Sequence, residues 1–404
     1  VDVPSLTLDG FGPLPVHRPT TVAEAGEVVR QMRDQRRAVY PVGGRSQLHV
    51  GRVPTRPGVA LDTTDLAAVV DYPARDMTVT VQAGMRVADL DRLLAAENQR
   101  LPIDVPHPEA TVGGILATNT SGPRRFGHGT LRDYLIGVSV LDDQGNETKA
   151  GGRVVKNVAG YDLCKLHVGA LGTLGVVTQA TFKLRPLPAA RALVVAAVSG
   201  DQLEATLDAL HATRTRPVVV EVLNRRMADA VGKLPQGEWV VVVGFEESPE
   251  AVAWQTSQLR TEIAAATVGD ETLWDALVAA TDSSGAVALK ANLLPSAVAD
   301  FCRALDRRPE PWRVQAHAGS GIVRASATKD VPLDALAATQ SELAPLAAQA
   351  AGNIVLPRCP AAWKARLPVW GTPRGDVVVM RKVKHALDPL GLFNPGRFLE
   401  GIDV

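Results

Sequence analysis

Apolar residues recur with two different periods along this chain, and the changes of period outline its elements. Val22, Ala25, Val28, Val29 and Met32 stand at helical spacing, which predicts a helix to about residue 37. Thr21 and Glu24 ahead of them form a capping box: the hydroxyl accepts from a first-turn amide and the carboxylate reaches back to the cap amide. Residues 38–42 read as a short strand that enters Gly43-Gly44 directly. Residues 77–81 alternate as a strand that Gly84 ends, and residues 87–97 return to helical spacing.

Arg185-Pro186-Leu187-Pro188 interrupts the pattern, because two prolines cannot continue a strand ladder. Beyond it, strands are predicted at 193–198, 218–222, 239–245, 286–289 and 314–317, and helices at 201–212, 250–265, 295–305 and 333–350. Alternation on this scale predicts an α+β domain, two split βαβ units about an antiparallel sheet. The expected division is residues 1–188, a second domain 189–350, and a proline-punctuated segment 351–404 that packs back toward the first. No internal repeat is visible in the residues themselves.

Composition narrows the function. At 404 residues, 46% apolar and 21% charged, the chain can build a full core. Lys plus Arg equals Asp plus Glu at 43 each, so no net basic field gathers nucleic acid or anionic lipid. Cys164, Cys302 and Cys359 lie far apart without a CxxC pair, which argues against a disulfide framework or a structural zinc site and fits a reducing cytoplasm. The first residues show no basic and apolar leader, and no stretch approaches the roughly 18 apolar residues of a membrane span. A soluble cytoplasmic protein is expected, docked at the inner membrane at most through partners.

Three glycine-rich segments carry the candidate chemistry. Pro41-Val42-Gly43-Gly44-Arg45-Ser46-Gln47-Leu48 follows a strand, and glycines there let successive amides converge on an anion, as a phosphate nest does; taken alone it also reads as a turn. In the second, Thr111 caps a short helix starting Val112-Gly113-Gly114, whose amides would favour a phosphate, and small residues run on to Gly122; a helix packed closely at a crossing is the other reading. The third runs from Gly151 through Val155-Lys156-Asn157-Val158-Ala159-Gly160-Tyr161-Asp162-Leu163 to Gly175-Val176-Val177. None is a G-x-G-x-x-G fingerprint or a G-x-x-x-x-G-K-[ST] loop, which disfavours a nicotinamide Rossmann site and an NTPase.

In this order the segments resemble the PCMH-type FAD-binding domain of the vanillyl-alcohol oxidase and p-cresol methylhydroxylase superfamily. The stretch from Val155 to Leu163 is similar to the flavin subunit of glycolate oxidase, E-subunit type, and Leu392-Phe393-Asn394-Pro395-Gly396-Arg397 to that family's closing motif. The resemblance implies an FAD-binding domain of two α+β subdomains, a ferredoxin-like α+β cap, and a C-terminal tail returning to the FAD domain. It implies FAD contacts from Pro41, Val42, Gly43, Gly44, Arg45, Ser46 and Gln47 at the pyrophosphate. Thr111, Gly113, Gly114, Ala117, Thr118, Asn119, Ser121 and Gly122, with Thr130 and Asp133 after them, would run beside the ribityl chain and isoalloxazine. Gly175, Val176 and Val177 would take the adenine side, and Asn394 the closing motif. His49 is expected to lie outside the Arg-Ser-x-x-His arrangement of covalently flavinylated relatives, so FAD is expected to be non-covalent.

The implied activity is oxidation of a 2-hydroxy acid to a 2-oxo acid, which needs a hydride acceptor, a base for the hydroxyl proton and a cation for the carboxylate. The implied setting is a glycolate oxidase-like complex with a second flavin subunit and an iron–sulfur subunit. A self-sufficient FAD oxidase or dehydrogenase, and a non-catalytic electron-relay subunit, are the alternatives. Related hydroxy-acid dehydrogenases carry His-x-Gly-Asp-Gly-Asn-x-His, with a later Glu-His-Gly, and can hold a divalent metal. Here the stretch reads His317-Ala318-Gly319-Ser320-Gly321-Ile322-Val323-Arg324, and Ala350-Ala351-Gly352-Asn353 replaces the later motif, so no metal site is expected. His317 is either a general base, with Arg324 pairing a substrate carboxylate, or a hydrogen-bonded core histidine; the loss of its companions favours the second. Lys290 and Arg358 are further candidate carboxylate partners, and His107 and His128 lie in loops that could contact the ring.

Overall fold

The computed structural model describes residues 4–153, 161–282, 285–327 and 331–402. The diagnostic residues 155–160 lie outside the described residues. The chain folds as two compact units, one of residues 1–120, 130–187 and 373–404, the other of 121–129 and 188–372.

The first unit holds two small sheets. One has the order β1 (Ser5–Leu8), β2 (Phe11–His17), β4 (Gly58–Asp62), β3 (Ala38–Val42), with β4 parallel to both neighbours. The predicted helix, Val22–Asp34, packs Val29 and Met32 into a core with Val39, Val59, Leu61 and Phe393. Thr21 caps it by accepting from the Glu24 amide at 3.2 Å, but the Glu24 carboxylate returns one residue further back, to the Thr20 amide at 2.8 Å. The other sheet is antiparallel, β5 (Val69–Asp71), β6 (Thr78–Gln82), β10 (Val176–Lys183), β8 (Leu135–Leu141), β9 (Glu147–Gly151). Two-residue strands β7 (Gln99–Arg100) and β11 (Arg185–Pro186) pair separately.

The tail joins this unit through main-chain bonds. The Val39 amide donates to Leu392 O at 2.9 Å and the Asn394 amide to Val39 O at 3.0 Å, which seats Phe393 in the core. Arg397 then ties three carbonyls, those of Leu48, Val50 and Arg52, to itself and to Asp9.

The second unit is built on one antiparallel sheet of eight strands, in the order β15 (Thr267–Val268), β12 (Ala190–Val198), β14 (Trp239–Glu247), β13 (Val219–Asn224), β17 (Trp312–His317), β18 (Ile322–Ala327), β16 (Ala288–Asn292), β19 (Asn353–Arg358). Its two halves have the same topology. In each, a first strand and its helix lead to a second strand at the middle of the sheet, and the fourth strand lies at the outer edge beside the first. This is two split βαβ units sharing one sheet, a duplication of topology that the residues themselves do not betray. β19 belongs here, paired with β16, so the C-terminal segment leaves this unit only at residue 373.

One face of the sheet is apolar. Val220, Val222, Val314, Ala316, Val323, Ala325, Leu289 and Ala291 pack against Leu203, Leu259, Phe301 and Leu336 of the covering helices. No described helix is long and apolar enough to cross a membrane.

Candidate functional site

In the first unit, β3 delivers the chain into a loop that only glycine can form. A Cβ on Gly43 would stand 2.1 Å from Thr111 Oγ1, and one on Gly44 1.8 Å from Glu109 O. Arg45 follows in the left-handed region at φ +59°, where its guanidinium reaches Asp62 at 2.8 Å. Burial works to raise the Asp62 carboxyl, but hydrogen bonds from Thr64 and Arg45 outweigh it and hold the group below its usual range. The main-chain amides of Gly43, Gly44, Arg45 and Ser46 make no hydrogen bond to the protein. Four successive unengaged amides are a site for an anion.

The same loop walls a cleft of about 100 Å³ that opens to solvent. Its lining includes Pro41, Val42, Gly43, Gly44, Arg45, Ser46, Gln47, Thr111, Gly114, Ala117, Thr118 and Asn394 of the sequence-derived candidates. Asn394 is fixed there by donating to Leu171 O at 2.6 Å. The loop also borders a wider hollow, where Arg18, Arg45 and Arg86 face Asp62, Asp89 and Glu109.

The helix Val112–Thr118 forms as expected, with Thr111 Oγ1 accepting from the Gly114 amide at 3.3 Å. Its first amides are nonetheless not available to a phosphate. That of Val112 donates to Met85 O at 2.9 Å and that of Gly113 to Ala83 O at 2.7 Å. The two glycines therefore differ in role. Gly113 lets the helix lie against Ala83, whose Cβ a new side chain would meet at 3.0 Å, whereas a Cβ on Gly114 would meet only Thr111 Oγ1, at 3.2 Å, and otherwise enter the cleft.

Several expected contacts stand elsewhere. Asn119 is the left-handed C-cap of this helix and does not line the cleft, nor does Gly113. Thr130 and Asp133 bond to each other as the capping box of Leu131–Tyr134. Val176 is buried in β10, and Gly175 packs where a Cβ would strike Val140. Ser121 and Gly122 belong to the second unit, where Ser121 Oγ accepts from Arg125 at 2.8 Å. Val105, Pro106 and Leu171 line the cleft without having been anticipated, and His107, expected in a loop that could contact the ring, lines it too. Arg45-Ser46-Gln47-Leu48-His49 does carry the Arg-Ser-x-x-His spacing, contrary to expectation; yet His49 is not a lining residue, whereas Leu48 and Val50 are.

The second unit carries a polar patch on the sheet face opposite its apolar one. Directly opposed residues of an antiparallel pair share a face, and the register sets Glu221 against His317, and Gln315 against Arg324 against Lys290. His317 Nδ1 lies 2.6 Å from Glu221 Oε1, and Gln315 Nε2 donates to Glu221 Oε2 at 2.7 Å and to Leu277 O at 3.0 Å. The expectation of a hydrogen-bonded strand histidine thus describes half of the imidazole: its Nε2 is buried with no partner. Arg324 donates to Thr281 O at 3.3 Å, while its Nε is unpartnered.

The Lys290 ammonium makes no hydrogen bond to the protein. It is recessed among protein atoms although solvent still reaches it, and this burial, with Arg324 and Arg125 nearby, pushes its ammonium down to about 7. Burial, opposed by Asp282 and assisted by Arg125, brings Arg324 down to about 10. Arg125 comes from the 121–129 segment, which docks on this unit by donating the Gly127 amide to Val218 O and laying Phe126 on Gly319. Three cations thus lie within electrostatic reach of one another. Arg358 pairs with Asp282 at 3.3 Å, and His128 Nε2 lies 2.7 Å from Glu246. Among the described residues, no three His, Cys, Asp or Glu side chains converge as a metal site would need.

Glu221 was missed from sequence, although a lone acid within Val218-Val219-Val220-Glu221-Val222-Leu223 was a usable signal. A charge kept in an apolar strand has to be paired.

Comparison with known proteins supports this reading. Residues 13–151 match the family model described as FAD binding domain, and residues 372–398 that of the C-terminal domain of FAD linked oxidases. D-2-hydroxyglutarate dehydrogenase of Xanthomonas citri pv. viticola is 28% identical over 97% of this chain and 90% of its own length. Glycolate oxidase subunit GlcE of Escherichia coli K12 is 36% identical over 41% of this chain and 47% of its own. The solved structure of an alkyldihydroxyacetonephosphate synthase shares the fold, with a TM-score of 0.68 at 17% identity, over 95% of this chain and 77% of that one. Four free amides, a cleft floored by a bare glycine and the two family matches agree: the chain belongs to the PCMH-type FAD-binding superfamily.

Proposed function

We propose that this chain is an FAD-linked oxidoreductase of 2-hydroxy acids and serves as a flavin-carrying subunit of a glycolate oxidase-like complex. The observation that carries the reading is the run of unengaged amides at Gly43, Gly44, Arg45 and Ser46 bordering a cleft that Gly114 keeps open. These residues fit a dinucleotide: the amides suit its diphosphate, and the side-chain-free helix face suits a flat ring. FAD, when bound, supplies the hydride acceptor. The reading takes the cofactor to be non-covalent, which the position of His49 outside the cleft lining supports.

The chain's own residues meet the remaining needs. Lys290, Arg324 and Arg125 provide cationic charge for a substrate carboxylate, Arg324 with a planar fork suited to two oxygens. His317 presents an unpartnered ring nitrogen on the same sheet face. The similarity to D-2-hydroxyglutarate dehydrogenase over most of both chains supports a hydroxy-acid substrate, and that to GlcE supports the subunit role. Three buried cysteines far apart in sequence do not make a cluster site, so the reading requires electrons to leave for an iron–sulfur partner, a second flavin subunit or a soluble acceptor. It places the protein in the cytoplasm, reaching the inner membrane only through such partners.

The test is to mix the purified yellow protein anaerobically with glycolate, D-lactate or D-2-hydroxyglutarate and follow oxidised-flavin absorbance. Bleaching by at least one of them is expected. A flavin that none of the three bleaches, with or without partner subunits, contradicts the reading. Bleaching only after partner subunits are added would instead assign the chain to electron relay.

A further inference from the structure

The pairing across the middle of the eight-stranded sheet carries one more inference, which rests on the reading just proposed. We infer that Glu221 is a positioning residue: it fixes His317 in the tautomer whose bare Nε2 accepts the hydroxyl proton of the substrate.

Glu221 is fully buried on β13 and faces His317 on β17 where the two halves of the sheet meet. Both its oxygens are engaged, one 2.6 Å from His317 Nδ1, the other accepting from Gln315 Nε2 at 2.7 Å. Gln315 is itself anchored by its second bond, to Leu277 O. An ionised carboxylate can only accept, so the imidazole proton sits on Nδ1. Nε2 is left with its lone pair, buried and without a protein partner. A carboxylate that orients an imidazole and leaves its other nitrogen to take a proton is the arrangement by which histidine becomes a base at neutral pH. On the same face stand Arg324, one strand away on β18, and Lys290, two strands away on β16, both in register with Gln315; they would hold an anionic substrate near that nitrogen.

The step balances. The substrate O–H bond breaks with its proton passing to Nε2, and its electron pair becomes the second bond of the new carbonyl. The electron pair of the neighbouring C–H bond needs an acceptor, which FAD would supply if held by the Gly43–Ser46 amides, so that the alcohol would be oxidised and the flavin reduced. Glu221 stays ionised and stabilises the imidazolium that forms.

The test uses the full chain with FAD and histidine labelled with ¹⁵N, the His317 signals being assigned by their loss in His317→Gln. The expected spectrum of the resting wild type shows a protonated Nδ1 and an unprotonated Nε2. A proton on Nε2 with a bare Nδ1 overturns the inference, and this measurement needs no variant at Glu221. In Glu221→Gln, kcat with whichever hydroxy acid bleaches the wild type is expected to fall by about 10²–10⁴-fold, with oxalate affinity unchanged and the ring signals shifted toward the other tautomer. Unchanged kcat and unchanged ring signals would also overturn it. If that variant does not fold, Gln315→Met, which removes only the anchor, should give a smaller loss of kcat in the same direction. Failure of every hydroxy acid to bleach the wild type would defeat the proposed function instead, and the imidazole spectrum would still decide the tautomer.

Discussion

At Gly114 the missing side chain is the functional feature. A Cβ there touches only Thr111 Oγ1, at 3.2 Å, and whatever extends beyond it enters the cleft. Gly114→Leu should therefore leave the fold intact and expel FAD, read as loss of flavin per chain at an unchanged circular dichroism spectrum. A variant that stays yellow with full stoichiometry would contradict the placement. Lys290 gives a second residue-scale expectation. The folded lysine, down at about 7 through burial and the nearby Arg324 and Arg125, gives up its proton well below the ordinary 10.5. Between those values the unfolded chain binds the extra proton, so this group's contribution to folding stability rises with pH across that window. An anion beside Lys290 favours the charged form. Oxalate should thus bind less tightly as pH rises through about 7, with Asp282, Glu221, His317 and Arg125 as the other charged or titratable groups around Arg324 and Lys290. Lys290→Met should weaken binding below that pH and flatten the dependence, as read by calorimetric titration.

At the scale of elements, the C-terminal helix Val377–Leu387 is tied down by an ion pair rather than by its apolar residues. Lys384 and Asp388 are both buried and 2.6 Å apart. Asp388 accepts from the Leu392 and Phe393 amides, and Lys384 donates to Thr173 O and Phe393 O. Asp388→Ala would strand a buried ammonium, a loss of about 3–5 kcal/mol. The variant should melt earlier by that amount and release FAD more readily, because Asn394 and Arg397 follow directly; an unchanged melting temperature would refute the assignment. The sequence could not disclose this pair, since Lys and Asp four apart on a helix usually form a solvated contact. The Thr111 cap was legible because a hydroxyl ahead of a helix has few other uses. Whether the amides behind it were free was not, as Met85 O and Ala83 O reach them from a distant strand end.

Over the whole molecule, the α+β architecture followed from the changes of apolar period, which reflect what each strand and helix must bury. The boundaries between units did not. Residues 121–129 join the second unit through Gly127 and Phe126, contacts made with β13 and Gly319 about a hundred and two hundred positions away, and nothing local in Arg124-Arg125-Phe126-Gly127 announces them. The cationic cluster was equally hidden, because Arg125, Lys290 and Arg324 come from three separate stretches, and only sheet register and the docking of 121–129 assemble them. By contrast the nest was written almost entirely in Gly43-Gly44-Arg45-Ser46, since the need for a bare backbone is itself a sequence signal.

The central claim is that main-chain amides, not side chains, hold the diphosphate of the flavin dinucleotide. A crystal structure of the full chain grown with FAD tests it most directly. The account predicts diphosphate oxygens within hydrogen-bonding distance of the Gly43–Ser46 amides and the ring system lying along Gly114. A dinucleotide whose diphosphate is gripped elsewhere, with those four amides turned to solvent, would contradict it.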